Sequence, residues 1–277
     1  SDRWVTATQP STTMSTPSPE TTPSPSPPTP DPKKAQREAD QAKYKATCNE
    51  YIRTGLGRNP TIQFLLKRLH EHGCDPPKGF ISCVDCGDDI QAGGGFGVLE
   101  ETTISKNTNN TAQNNSTTTT KNAIEQCMTS AKEAEARRKR ETEGDVKLRL
   151  LPEIFLCQQH LRDETHAHLS LTHELIHAID LCRTKMDPVN NCVHQACTEI
   201  RASNLSGECD WFEEFNAGRV GQYLGHGKAC VKRRALLSVK ANPNCKDGCT
   251  AEEAVQAAFE RCYKDTFPFD RHPNLKF

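Results

Sequence analysis

The sequence predicts an α+β fold class: a mainly helical chain with a small β element, rich in disulfides and led by a disordered N-terminal tail. Three observations carry that expectation. Apolar residues recur at helical spacing in several segments, whereas only two runs read as strands. Fourteen cysteines in 277 residues are unusual for a reduced cytosolic chain and point to a disulfide framework or a structural metal. Residues 1 to about 32 are largely Ser, Thr and Pro, a composition that removes donors and cannot build a core.

Taken in order, the tail is expected over residues 1–43 and a folded domain over 44–273. At their border, 33–47 is charged and helix-prone. The stretch 48–74 carries Ile62, Phe64, Leu65, Leu66 and Leu69 at amphipathic spacing, and Asp75-Pro76-Pro77 stops it. Residues 80–87 read as a short strand or knuckle, and the glycines of 93–97 as a tight loop. A Thr/Asn-rich stretch, 101–122, holds sequons at Asn109, Asn114 and Asn115 and is expected to be a disordered insertion. Residues 123–143 look helical, with the basic run at 137–140 alternating with glutamates as a solvated face. The best strand is 146–157, where Pro152 suggests a break or an edge. Helices are expected over 169–183, 193–202, 227–240 and 251–263, with another segment at 211–221 and a terminal coil at 267–270. There is no βαβ alternation and no repeat.

Composition narrows the function. A net charge of −1 gives no reason to expect nucleic acid as the main partner. No run approaches the roughly 18 apolar residues of a membrane span, so any membrane association is expected to be peripheral. No N-terminal apolar stretch resembles a secretory signal, and a chain that starts at Ser1 rather than Met leaves room for an upstream segment.

The chemistry is concentrated in Thr172-His173-Glu174-Leu175-Ile176-His177. Residues four apart stack on one helix face, so His173 and His177 can turn ring nitrogens toward one ion. Glu174 then projects beside that ion, where it can take a proton from a water and pass it to a departing amine. Leu175, Ile176, Ala178 and Ile179 suit a buried helix, with Thr172 or Ser170 as possible caps. A catalytic zinc ion (Zn2+) needs a third protein ligand and an open position. Candidates are Asp180, His194, Glu199 and Glu208. Asp180 lies three residues past His177, a spacing that suits orienting a ligand histidine more than binding metal. Glu199 sits in a helical stretch that could return antiparallel and fill the open corner, with Ser203 one turn on; it is favoured over His194. His166 and His168 lack ligand spacing and are expected to pack or cap nearby. A rival structural knuckle could form from Cys83, Cys86, Cys157 and His160, but a general disulfide framework accounts for more of the cysteines.

With those residues in view, the chain resembles the family of mitochondrial inner membrane metalloproteases that serve ATP synthase assembly in fungi and animals. The resemblance is carried by Cys83-Val84-Asp85-Cys86, the glycine loop at Gly94, Leu156-Cys157-Gln158, Thr172 to Asp180, Cys182-Arg183, Ala196-Cys197-Thr198-Glu199-Ile200-Arg201-Ala202 and Asn204-Leu205-Ser206-Gly207-Glu208-Cys209. It implies a zincin-like metalloprotease domain in which His173 and His177 are metal ligands and Glu174 is the catalytic glutamate. It further implies a peripheral protein on the intermembrane-space side of the inner membrane, with cysteines oxidised by that compartment's disulfide relay. The implied clients are the precursor of mitochondrially encoded ATP synthase subunit 6, whose N-terminal presegment is removed, and the subunit 9 ring or its assembly intermediates. An assembly chaperone that needs no peptidase activity and a secreted zinc metalloprotease are the other readings. The Pro-rich tail, the Thr/Asn stretch and His160 depart from the family pattern.

Overall fold

A computed structural model describes residues 31–88, 92–103, 147–216, 218, 226–243, 245 and 249–274. The Thr/Asn stretch beyond 103, its sequons, the expected helix at 123–143 and residues 1–30 lie outside these. The chain divides into two units, Ser1–Glu38 and Ala39–Phe277. The described part of the first is Asp31 and the opening of helix α1 (Pro32–Arg58); the sheet, the other helices and the site belong to the second.

Residues 32–43, assigned from composition to the tail, are therefore helical. The amphipathic stretch that follows is divided at Asn59-Pro60. Asn59 caps α2 (Pro60–Glu71) by accepting from the N–H groups of Thr61 and Ile62, and Pro60 occupies the first turn, where a missing donor does no harm. Helix α2 buries Ile62, Leu65 and Leu69, the face its spacing predicts.

Three strands form one sheet in the order β1-β3-β2. Strand β1 (Ile81–Val84) runs parallel to β3 (Lys147–Cys157), with Ile81 opposite Ile154 and Val84 opposite Cys157. Strand β2 (Gly94–Thr103) is antiparallel to β3, from Gly94 opposite Leu156 to Thr103 opposite Lys147. The glycines expected to make a tight loop are thus the start of a strand, and that strand runs to Thr103, three residues into the expected insertion. Pro152 lies in the central strand. It is tolerated because β1 pairs only with Ile154 to Cys157, leaving β3 one neighbour at Pro152.

Helix α3 (Glu164–Arg183) carries the histidine motif and is longer than expected. Its N-cap is Asp163, which accepts from His166 N at 2.7 Å, so Ser170 and Thr172 are interior residues rather than caps. Thr172 instead donates to the His168 carbonyl at 2.8 Å. The eleven residues from Ser170 to Asp180 are all buried, as for a helix walled in by its neighbours. Helix α4 (Cys192–Leu205) starts at an Asn191 cap and serves two cores. Ala202 and Leu205 join α1, α2, β3 and α3, while Val193, Ala196 and Ile200 join α6 (His226–Ala241) and α7 (Ala251–Lys264). Between them lies the short α5 (Trp211–Asn216).

Among the described residues these disulfides bind the elements: Cys48–Cys83, Cys74–Cys182, Cys86–Cys157, Cys192–Cys245, Cys197–Cys262 and Cys209–Cys230. No described cysteine is free. The knuckle reading is overturned by this pairing, because Cys83 and Cys86 bond different partners and His160 Nε2 lies 2.9 Å from the Gly87 carbonyl.

Candidate metal centre

Four residues apart on α3, the rings of His173 and His177 stand with centroids 4.8 Å apart, facing α4. Glu199 meets them there. Its Oε2 lies 3.5 Å from His173 Nε2 and its Oε1 lies 3.6 Å from His177 Nε2. One ligand atom from each of the three falls within 4.8 Å of the others. Helix α4 brings Glu199 to this corner because Cys197 ties that turn to α7, and Ser238 of α6 donates to Glu199 Oε1 at 2.6 Å. His194 takes no part; its Nδ1 accepts from Asp187 N at 3.2 Å, away from the cleft.

The opposite nitrogen of each ring is held in place. His177 Nδ1 is 2.8 Å from Thr198 Oγ1, and that hydroxyl donates to Asp180 Oδ2 at 3.0 Å. A hydroxyl that gives its proton to a carboxylate must accept from the ring, so His177 carries its proton on Nδ1 and turns a lone pair on Nε2 toward Glu199. Asp180 therefore orients a histidine as its spacing suggests, but through Thr198. It is itself fixed by fully buried Arg201, whose Nε lies 3.0 Å from both carboxylate oxygens. His173 Nδ1 lies 2.9 Å from Glu208 Oε2, which also receives Arg234 at 2.7 Å. Glu208, a ligand candidate by sequence, thus holds the far side of His173.

Glu174 points the other way along the motif, toward β2. A Cβ placed on Gly94 would lie 2.8 Å from the Phe155 carbonyl, so the glycine lets β2 lie this close to β3, while Glu174 Oε1 would be in ordinary contact at 3.7 Å. Phe96 packs on His177 with centroids 5.8 Å apart. The site opens into a cleft of about 1000 Å³ walled by β2, α3, α4 and α6. His166 lines this cleft, whereas His168 is turned to the Tyr51 carbonyl at 3.0 Å. Ser203 also lines it, but its buried Oγ has no hydrogen-bond partner and does not bind the ligand set.

The sequence matches the peptidase M76 family over residues 109–270, more than half of the chain. The chain belongs to the peptidase M76 family. Similar proteins carry the name mitochondrial inner membrane protease atp23. The one from Aspergillus clavatus is 47% identical over 117 residues, 42% of this chain and 49% of its own length. The one from Debaryomyces hansenii is 48% identical over 118 residues, 43% of this chain and 50% of its own. The chain therefore spans about half the length of the curated relatives it matches. No solved structure matches it. Both findings agree with the resemblance read from the motifs, and a metallopeptidase family implies a divalent metal ion.

The M76 donor set fits such an ion. Burial would lower the His173 pKa, but the Glu208 and Glu199 carboxylates outweigh it and raise it well above the usual imidazole range. Burial pushes His177 down to about 4 and Glu174 up to about 8. Burial would raise Glu199 and Glu208 too, yet the histidines, and for Glu208 also Arg234, bring both to about 2. A lone-pair imidazole nitrogen facing an ionised carboxylate across 3.6 Å is repulsive unless a cation lies between them. Two imidazoles and a carboxylate suit a first-row divalent transition-metal ion.

Proposed function

We propose that this chain is a zinc metalloendopeptidase acting at the mitochondrial inner membrane. The proposal covers removal of the N-terminal presegment of ATP synthase subunit 6 and help in joining that subunit to the subunit 9 ring. The observation that carries the peptidase reading is the convergence of His173, His177 and Glu199 beside Glu174 in one cleft. The family supports a peptidase, and the relatives' printed names support the membrane. The particular client comes from the resemblance in the motifs. No helix among the described residues is long and apolar enough to cross a membrane, and attachment from the intermembrane-space side is part of the proposal.

His173 and His177 would hold the ion through Nε2, and Glu199 through a carboxylate oxygen. A bound divalent ion acidifies water and polarises a carbonyl. Glu208 and Thr198 keep both rings in the tautomer that frees Nε2. Glu174, buried beside the two histidines, would accept a proton from the water and return it to the leaving nitrogen. Ser238 leaves one oxygen of Glu199 for the ion while bonding the other.

Glu174→Gln tests this. The variant should bind zinc as the wild type does yet leave the subunit 6 precursor uncut; normal processing by it would remove Glu174 from the chemistry. An additional assembly role is favoured by the exposed aromatic cluster of Trp211, Phe212 and Phe215 on α5, a surface suited to an apolar client. Rescue of ATP synthase assembly by Glu174→Gln would separate that role from cleavage, and failure of rescue would join them.

A further inference from the structure

The cleft changes character along its length, and two helices mark the gradient. On α3, His173, His177 and Leu181 follow one another at one-turn intervals on the face that lines it. On α6, Arg233 and Arg234 come first, Leu237 and Ser238 one turn on, and Ala241 last. The end beside His173 is charged, because Arg234 pairs with Glu208 and Arg233 with Glu214. The end beyond His177 and Glu199 is walled by Leu181, Pro188, Val189, Leu237, Ala241 and Pro243. Asn242 closes that end by donating to the Val189 carbonyl at 3.0 Å and to Gln195 Oε1 at 2.8 Å. The polar groups there are thus turned to each other.

Leu237 is 60% exposed and Val189 50% exposed, although both line a cleft that holds the donor set. Branched aliphatic side chains standing open beside a reaction centre have apolar surface still to bury. No lining residue at this end is charged, so an ionised group entering it would lose its hydration without gaining a partner.

We infer that this apolar end is a specificity subsite that takes a bulky aliphatic or aromatic side chain of the polypeptide within two residues of the scissile bond. The occupant follows from continuity. Leu181 is one turn from His177, and Leu237 precedes the Ser238 that holds Glu199, so a chain lying across the donor set enters the subsite with an adjacent side chain. The inference rests on the peptidase reading above and adds the class of residue selected.

Two peptide hydroxamates, identical except for leucine or aspartate at the residue nearest the chelating group, test it by calorimetry on the zinc-loaded protein. Filling one apolar pocket changes selectivity on the order of ten- to a hundredfold, so the leucyl compound should bind at least about tenfold more tightly. Leu237→Asp and Val189→Asp should each remove most of that preference while zinc content and circular dichroism stay as in the wild type. Matched peptide substrates should show the same ranking in kcat/KM. Equal binding of both hydroxamates would overturn the subsite and leave the peptidase centre standing. Binding of neither to protein shown to hold zinc would overturn both readings. A dimer that Leu237→Asp dissociates would assign this face to self-association and likewise overturn the subsite.

Discussion

The hydroxyl of Thr198 sits 2.8 Å from Nδ1 of His177 and donates a hydrogen bond to Asp180, so one threonine fixes which nitrogen of the ring is free. Thr198→Val keeps the shape of the side chain and removes the acceptor. Metal affinity should fall by roughly ten- to a hundredfold, the usual effect of losing an orienting partner. Thr198→Ser should restore most of it. Competition against a chromogenic chelator reads this directly, and unchanged affinity in the valine variant would show that the ring needs no such anchor.

Arg201 stands behind that relay. Fully buried, it engages Asp180 through Nε, the Asp265 carbonyl through one terminal nitrogen at 2.5 Å and the Phe267 carbonyl through the other. Arg201→Leu would leave the buried Asp180 carboxylate without its main counter-charge, a loss of about 3–5 kcal/mol. Denaturant unfolding of the oxidised protein should show it. The loss should shrink when Asp180→Asn is added, since the stranded charge is then removed.

Glu174 gives a pH signature in the metal-free protein. Its folded pKa, raised by burial to about 8, lies above the ordinary 4.5, so the native state holds a proton that the unfolded chain has released. The stabilising contribution is complete below pH 4.5 and is lost as pH rises through about 8. Metal-free Glu174→Gln has no such loss. Its stability relative to wild type should grow between about pH 5 and pH 8 by an amount on the order of a few kcal/mol and level off above that. Parallel melting curves across that range would contradict the burial of the carboxylate. Glu199 and Glu208, both held at about 2, act in the opposite direction: their contribution is present above pH 4.5 and disappears as pH falls through 2.

The glycine start of β2 can be tested at two positions that differ in the space around them. A Cβ at Gly94 would lie 2.8 Å from the Phe155 carbonyl, whereas at Gly97 the nearest atom is 3.7 Å away. Gly94→Ala should destabilise the protein by about 1–3 kcal/mol, because β2 must shift away from the Phe155 carbonyl and the Leu156 side chain of β3. Gly97→Ala should be close to neutral. Thermal unfolding of the pair settles it, and equal effects would mean that the strand yields freely.

The parts of the fold legible in the sequence are those with local causes. The buried motif helix, α2 and α7 follow from apolar spacing, and β1 and β3 from short apolar runs. The misreadings have tertiary causes. Gly93 to Gly97 read as a loop because glycine weakens a strand in isolation, yet here close approach to Phe155 at Gly94 and Gly95 favours it. Apolar spacing starts α3 only at Leu169 because His166 and His168 break the pattern, whereas Asp163 followed by Glu164 is the cap signal that marks its true start. At the site, His173, Glu174 and His177 are visible because their spacing is local. Thr198 and Arg234 were not, since their roles exist only once α4 and α6 fold onto α3. Asn59-Pro60, a sequence-visible break, was passed over inside an amphipathic run.

Cys197 precedes Thr198 and Glu199 on the same turn of α4, and its bond to Cys262 fastens that turn to α7. The proposed third metal donor and the threonine that orients His177 thus owe their positions to a covalent link made after translation. A freshly made, still reduced chain has every side chain the centre requires but lacks the tether that sets two of them. If Glu199 is the third donor, the competence to hold an ion is gained together with formation of the Cys197–Cys262 bond.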